Sequence, residues 1–185
     1  VQHQIAAKKA FCFAVEAACS GFIYGLDIGR RFVSDGDVKT ALIIGAEKLS
    51  MATDWKDRAT CVLFGDGAGA AVLQARENTR GILGTVMGSD GALAKLLMIP
   101  GGGSRQPCSA KTLEDRLHFI KMEGKEVFKH AVRCMSDACT KVLAQTGLTM
   151  ADVKLIIPHQ ANMRIVQAIA DRLEAPADKV CVNLS

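Results

Sequence analysis

A cysteine walled in by small residues, Ala17-Ala18-Cys19-Ser20-Gly21, marks the point where one backbone period gives way to another. Before it, Phe11-Cys12-Phe13-Ala14-Val15 reads as a strand. After it, Phe22, Leu26, Gly29 and Val33, with Ile23 beside them, recur at helical spacing. A strand, a small-residue turn and a helix in that order point to an α/β architecture with Cys19 at or near a helix N-terminus. Free N–H groups and the helix dipole at such a position favour a thiolate over a thiol. A thiolate on a sharp turn is an accessible nucleophile. The competing reading is a buried structural thiol, since free cysteine is among the most buried residue types.

The same plan recurs late in the chain. Leu155-Ile156-Ile157-Pro158 reads as a short buried strand. His159-Gln160-Ala161-Asn162-Met163-Arg164 follows, and then a helix with Ile165, Val166, Ile169, Ala170 and Leu173 on its apolar stripe. An imidazole at a strand end can serve as donor or general base beside a thiolate. One strand-to-helix turn thus carries a nucleophile and another carries its partner.

Between these turns the elements alternate. Ser34-Asp35-Gly36-Asp37 is a turn. Strands are expected at residues 40–46, 60–64, 70–75 and 118–122, and residues 82–86 start the second half. A polar connection from Lys48 to Arg58 carries Trp55, and residues 101–107 form a loop. Residues 125–145 read as a long helix with Phe128, Ala131, Val132, Met135, Cys139 and Val142 facing inward, ended by Gly147. Thr149 is placed to cap a short helix after it. The composition turns polar from Arg76 to Arg80, so the chain divides into two α/β halves, 1–77 and 78–185, which echo one another loosely.

Composition removes several function classes. With 49% hydrophobic residues among 185, the chain can bury a sizeable core. Mean hydropathy is slightly positive, +0.18, but no apolar run approaches the length of a membrane span, and no basic-then-apolar signal peptide opens it. Seven cysteines without a regular framework point to a reducing compartment. Four scattered histidines with no HExxH or clustered Cys/His argue against a metal site. The net charge of +4 suits an acidic protein partner, and the sparse aromatics do not suggest a nucleic-acid stacking surface.

Three segments taken together are more specific than any one of them. Ala18-Cys19-Ser20-Gly21-Phe22, Phe64-Gly65-Asp66-Gly67-Ala68-Gly69-Ala70 and Pro158-His159-Gln160-Ala161-Asn162-Met163-Arg164 occur in that order, with Gly124-Lys125-Glu126-Val127-Phe128-Lys129 between the last two. They resemble the β-ketoacyl-acyl-carrier-protein synthase III family, and the resemblance spans essentially the whole chain. It implies a thiolase-like α/β fold, a duplicated α/β unit in an αβαβα layered sandwich. Both ends of the chain look like cuts through such a fold, with roughly the first quarter and the last sixth or more of the usual enzyme outside it.

The resemblance also implies an activity, a decarboxylating Claisen condensation that initiates fatty-acid synthesis. A short acyl-CoA starter passes to Cys19 and is condensed with malonyl-acyl-carrier protein. His159 and an asparagine expected just beyond Ser185 serve the malonyl thioester. Asn183 and Asn162 are not that asparagine. Arg58 aligns with a contact to the adenine end of coenzyme A. Gln160, Ala161, Asn162, Met163, Arg164 and Lys129 fall on the carrier-protein docking surface. Asp171-Arg172 departs from a basic pair seen in the family and narrows that surface. No metal or other cofactor is implied, coenzyme A entering as the substrate's thioester. The expected assembly is a homodimer and the expected location cytoplasmic, or the plastid stroma in a eukaryote.

Gly65-Asp66-Gly67-Ala68-Gly69-Ala70 superficially fits a relaxed dinucleotide fingerprint, but strand-like residues rather than a helix follow it. It is read as a tight turn between two strands. Two other functions remain open, a related thiolase-fold acyltransferase of secondary metabolism and a non-catalytic truncated fragment that only binds; the histidine motif, being that of a condensing enzyme, argues against a cysteine hydrolase.

Overall fold

The computed structural model describes residues 1–77 and 81–184. It groups into two compact units, Val1–Gly45 with Gly69–Thr79, and Ala46–Ala68 with Arg80–Ser185. The boundary expected between two halves falls on residues 78–80, outside the described residues.

In the first unit a single 3-10 turn, Ala18–Ser20, leads directly into helix α1, Gly21–Ser34. Strands β1, Thr40–Lys48, and β2, Asp66–Gln74, pair in a two-stranded sheet. α1 closes on this sheet through two glycines one turn apart. A Cβ at Gly25 would stand 2.9 Å from Ile43 Cγ2, and one at Gly29 would stand 2.6 Å from Ile43 Cδ1 and 3.2 Å from Leu73 Cδ1. Ala41, Ile43 and Leu73 therefore point toward the helix. Leu42, Ile44 and Val72 alternate to the opposite face, where they are exposed. Asp27 on α1 is fully buried and accepts Arg30 Nη2 at 2.7 Å and Arg31 Nε at 2.8 Å, so its charge is paired. The turn after α1 forms as expected, with Gly36 at φ 83°.

Two expectations fail in these segments. Residues 11–15 are not a strand. Phe11 and Phe13 are exposed, and their rings lie 5.4 and 6.4 Å from the Phe32 ring. Their apolar surface is spent on an aromatic cluster against α1, with no ladder partner to make them a strand. The glycine-rich segment is not a turn either. β2 begins at Asp66 and runs through Gly67 and Gly69, none of which takes a positive φ.

The second unit is built around helices α3, Gly124–Thr146, and α4, Met163–Arg172. The expected stripe of α4 is its buried face: Ile165, Val166, Ile169 and Ala170 are each at most 6% exposed. Arg172 Nη2 reaches Asp137 Oδ1 on α3 at 3.1 Å. α3 ends at Gly147 in the left-handed conformation, φ 68° and ψ 20°, the C-terminal cap expected of that glycine. Thr149 begins the next 3-10 turn, Met150–Asp152, with its N–H and hydroxyl both on Asp152 Oδ2.

The strands of this unit shrink. Residues 60–64 form turns, with the N–H of Thr60 and of Cys61 on Asp57 O at 3.2 and 2.9 Å. Residues 82–86 are irregular and lie on the end of α3, where a Cβ at Gly84 would meet Thr146 Cγ2 at 2.9 Å. Of residues 118–122, Lys121–Met122 alone forms a strand, β4, antiparallel to β3, Leu97–Met98. A short helix α2, Ala110–Glu114, capped by Ser109, was not foreseen. The strand read at 155–158 reduces to one parallel bridge, Ile156 with Val180.

Candidate active site

Cys19 is exposed and occupies the middle of the 3-10 turn ahead of α1. The residue before it, Ala18, has φ 44°. A left-handed residue other than glycine costs on the order of 1–3 kcal/mol and persists only where its surroundings impose it. The turn closes through Ser20 N–H on Ala17 O, at 3.0 Å, and Gly21 N–H on Ala18 O. Small residues at 17–21 make this bend sterically possible and leave the thiol uncovered. Cys139, half-buried in α3, is the opposite case: burial pushes its thiol pKa up, which suppresses the nucleophilic form.

In the second unit, His159 follows the Ile156 bridge and precedes α4 by four residues. Polar neighbours fix its loop. Gln160 Nε2 donates to Pro158 O at 3.0 Å and Cys181 O at 3.1 Å, while Gln160 Oε1 accepts the Asn183 N–H at 3.1 Å. Asn162 is the N-cap of α4, its Oδ1 accepting Ile165 N–H at 3.0 Å. His159 keeps an open side to solvent. The protein around it still removes enough water to lower its pKa below the ordinary histidine value, because burial disfavours the imidazolium. A neutral imidazole that can donate one N–H results.

Of the residues read as docking carrier protein, Met163 and Arg164 on α4 line an open groove of 470 Å³ together with Phe128 of α3 and Gln167. Lys129 is next to Phe128 and is engaged at 2.6 Å with Glu126, whose pKa it lowers. Ala161 N–H bonds back to His159 O at 3.0 Å. Both polar atoms of Gln160 and the Oδ1 of Asn162 are engaged within the protein, so these two side chains shape the loop. Asn183, already set aside as catalytic, meets Gln160 through its backbone.

Arg58 is exposed in the turn from Asp57 to Thr60, which directly follows a turn that starts at Asp54. Asp54 is 4% exposed and takes a two-pronged ion pair from Arg116, Nε on Oδ2 at 2.9 Å and Nη2 on Oδ1, with Lys121 at 3.9 Å. The Arg116 hydrogen bonds hold the Asp54 pKa down at about 2. This pair joins residues 62 apart, and sequence reading passed over it. An aspartate at the start of a solvent-facing turn was the signal at one end; nothing at Arg116 announced the other.

Among the described residues no group of three or more His, Cys, Asp or Glu could hold a metal ion, and no helix is long and apolar enough to cross a membrane.

Comparison with known proteins gives consistent results. The profile of 3-oxoacyl-[acyl-carrier-protein (ACP)] synthase III matches residues 13–91, and that of its C-terminal part matches residues 143–185. The β-ketoacyl-[acyl-carrier-protein] synthase III of Caldanaerobacter subterraneus subsp. tengcongensis is 52% identical over 184 residues, 100% of this chain and 56% of the relative. The chain thus spans about half the length of the curated relatives it matches. The crystal structure of 3-oxoacyl-[acyl-carrier-protein] synthase III from Aquifex aeolicus VF5 superposes with a TM-score of 0.88 at 48% identity, covering 99% of this chain and 55% of that one. The priming β-ketosynthase from the R1128 polyketide biosynthetic pathway gives 0.84 at 35% identity, over 96% and 52%. The fold is therefore of the thiolase-like α/β type shared by these structures.

Proposed function

The chain belongs to the 3-oxoacyl-[acyl-carrier-protein] synthase III family, and from that premise we propose that its chemistry is the decarboxylating condensation of a short acyl-CoA with malonyl-acyl-carrier protein. The observation that carries this reading is the exposed Cys19 on a strained turn, in a chain about half identical to such synthases along its whole length.

Cys19 Sγ attacks the acyl-CoA carbonyl; the C–S bond to coenzyme A breaks, and the coenzyme A thiolate takes up the proton that Cys19 gave up. Malonyl-carrier protein then enters. Its C–C bond to the carboxylate breaks, carbon dioxide leaves, and the electron pair forms the thioester enolate. Neutral His159 donates its N–H to the enolate oxygen, together with the asparagine that the family places after residue 185. The carbanion attacks the acyl-Cys19 carbonyl, and the Cys19 thiolate departs. The products are 3-oxoacyl-carrier protein, carbon dioxide and coenzyme A. Donors aimed at such developing oxyanions are each worth about 10²–10³ in rate. The thioester itself makes the enolate accessible, so no metal or redox group is called for.

Arg58 then contacts the nucleotide end of acyl-CoA. The α3–α4 groove with Met163 and Arg164, flanked by Lys129, docks the acidic carrier protein; Gln160, Ala161 and Asn162 shape the loop beside it. A homodimer in the cytoplasm, built of two duplicated halves dividing near residue 77, completes the reading. The match to a priming polyketide β-ketosynthase favours one alternative, the same chemistry with a different starter in secondary metabolism.

Peptide mass mapping after incubation with acetyl-CoA tests the first step, with an acyl adduct expected on Cys19. Acylation at Cys12 or Cys61 with Cys19 unmodified overturns the assignment. Supplying malonyl-carrier protein should then discharge the adduct as 3-oxoacyl-carrier protein. Release of free acid without malonyl-carrier protein would restore the hydrolase.

A further inference from the structure

Ile156 and Val180 open a parallel ladder that the sequence then interrupts. Ile156 N–H donates to Lys179 O at 2.7 Å, and Cys181 N–H donates to Ile156 O at 2.8 Å. Continued in the same register, the next rung would take the N–H of residue 158 to Cys181 O and the N–H of Asn183 to the carbonyl of residue 158. Residue 158 is a proline and has no N–H to give. The backbone ladder cannot go on past this point.

The side chain of Gln160 fills the missing rung. Its Nε2 donates to Cys181 O at 3.1 Å, where the absent N–H would have been. Its Oε1 accepts the Asn183 N–H at 3.1 Å, in place of the Pro158 carbonyl, and that carbonyl is met by the same Nε2 at 3.0 Å. The partners dictate the orientation of the amide: two carbonyls can face only its NH₂, and an N–H can face only its oxygen. Glutamine brings two donors and an acceptor on one planar end, as a rung with a second donor needs. An ionised glutamate of the same shape would bring no donor, and methionine of the same length would bring neither strong donor nor strong acceptor. His159 sits between the proline that stops the ladder and the glutamine that replaces its rung. Just after it the chain turns, Ala161 N–H on His159 O at 3.0 Å, before Asn162 caps α4.

We infer that Gln160 is a positioning residue for His159: its side-chain amide is a surrogate rung that sets where the His159 loop stands against residues 181–183, and it acts on the condensation through His159 without touching the carrier protein. This rests on the reading of His159 as donor to the malonyl thioester, and it moves Gln160 off the docking surface where the family resemblance put it. A donor aimed at a developing oxyanion works only at its set distance and direction, so a displaced loop costs rate even with the imidazole intact.

Two variants test it. Gln160→Met keeps the length and removes the amide. Gln160→Glu keeps the shape and the acceptor and removes both donors. Each is assayed for malonyl-carrier protein decarboxylation, with Cys19 acylation by acetyl-CoA followed separately by mass spectrometry. In both, kcat for decarboxylation is expected to fall about 10–10²-fold, with KM for malonyl-carrier protein and Cys19 acylation unchanged. In a His159→Ala background Gln160→Met should cost little more, because the two residues act as a unit. A raised KM with kcat held overturns the proposal and makes Gln160 a docking contact. Equal loss of both half-reactions, a full further loss in the His159→Ala background, or loss of the circular dichroism in both variants overturns it too, since the amide is then only structural. The ring titration of His159 by NMR reads the same geometry without turnover. Burial lowers its pKa in the folded protein, and a loop released in Gln160→Met should bring the midpoint up toward 6.5, the ordinary histidine value. An unmoved midpoint overturns the positioning. If the unmodified protein decarboxylates no malonyl thioester, the reading of the reaction fails, and the ring titration still decides whether Gln160 positions His159.

Discussion

The turn at Cys19 and the loop at His159 solve the same problem by different means. Each must present one side chain at the mouth of a helix. The Cys19 turn does it with backbone shape: a left-handed Ala18, a 3-10 turn and no side-chain cap on α1. The His159 loop does it with side chains: Gln160 pins it to residues 158, 181 and 183, and Asn162 caps α4. The difference follows from what each residue does in the proposed reaction. A nucleophile needs clearance around its sulfur, and small neighbours give that at the cost of strain. A hydrogen-bond donor needs a fixed direction, and a network of neighbouring amides gives that.

The comparison breaks most decisively at its two tips. Cys19→Ser should abolish condensation, because a serine hydroxyl is scarcely ionised near neutral pH; the assay is malonyl-dependent formation of 3-oxoacyl-carrier protein. His159→Ala should reduce malonyl decarboxylation by about 10²–10³ while acylation of Cys19 stays measurable by mass spectrometry. Equal loss of both half-reactions would make His159 the base for the thiol and remove the division of labour.

Stability measurements sharpen the contrast between backbone and side-chain positioning. Asn162→Ala removes an N-cap and should cost about 1 kcal/mol in chemical denaturation. Ala18→Gly should do the reverse, stabilising by up to about 1 kcal/mol as the left-handed strain is relieved, partly offset by the greater freedom of glycine in the unfolded chain. If Ala18→Gly destabilises and Asn162→Ala has no effect, the two regions are not held as described.

The smallest effect concerns pH. His159 has its pKa lowered in the folded protein by burial. Between that value and the ordinary 6.5 the unfolded chain binds the extra proton, so stability contributed here is lost as pH falls through this window and is intact above it. An NMR titration of the His159 ring should give a midpoint below 6.5, and any fall in activity due to imidazolium formation should be displaced to the acid side by the same amount. A midpoint above 6.5 would mean that a charge partner outweighs desolvation.

Helices were read from the sequence nearly as they stand. α1, α3 and α4 follow the 3.6-residue apolar period, Gly147 and Thr149 mark a helix end and a start, and the neighbours of Cys19 and His159 single them out as candidates. These signals are local, since a helix bonds i to i−4 and its caps lie within a few residues. The strands at 11–15 and 60–64 were misread for the complementary reason. An apolar run becomes a strand only when another segment supplies its ladder. Phe11 and Phe13 met Phe32 instead, while the glycines of 65–69, read as a turn, extended because β1 lay beside them. The sequence by itself determined the family and the helices, and singled out Cys19 and His159 as the residues on which the proposed chemistry rests. The tertiary structure alone decided which apolar runs pair, that Gly25 and Gly29 exist to let α1 reach Ile43, and that Arg116 grips Asp54 from 62 residues away. Each of those is a contact between distant segments, whose partner no local period can specify.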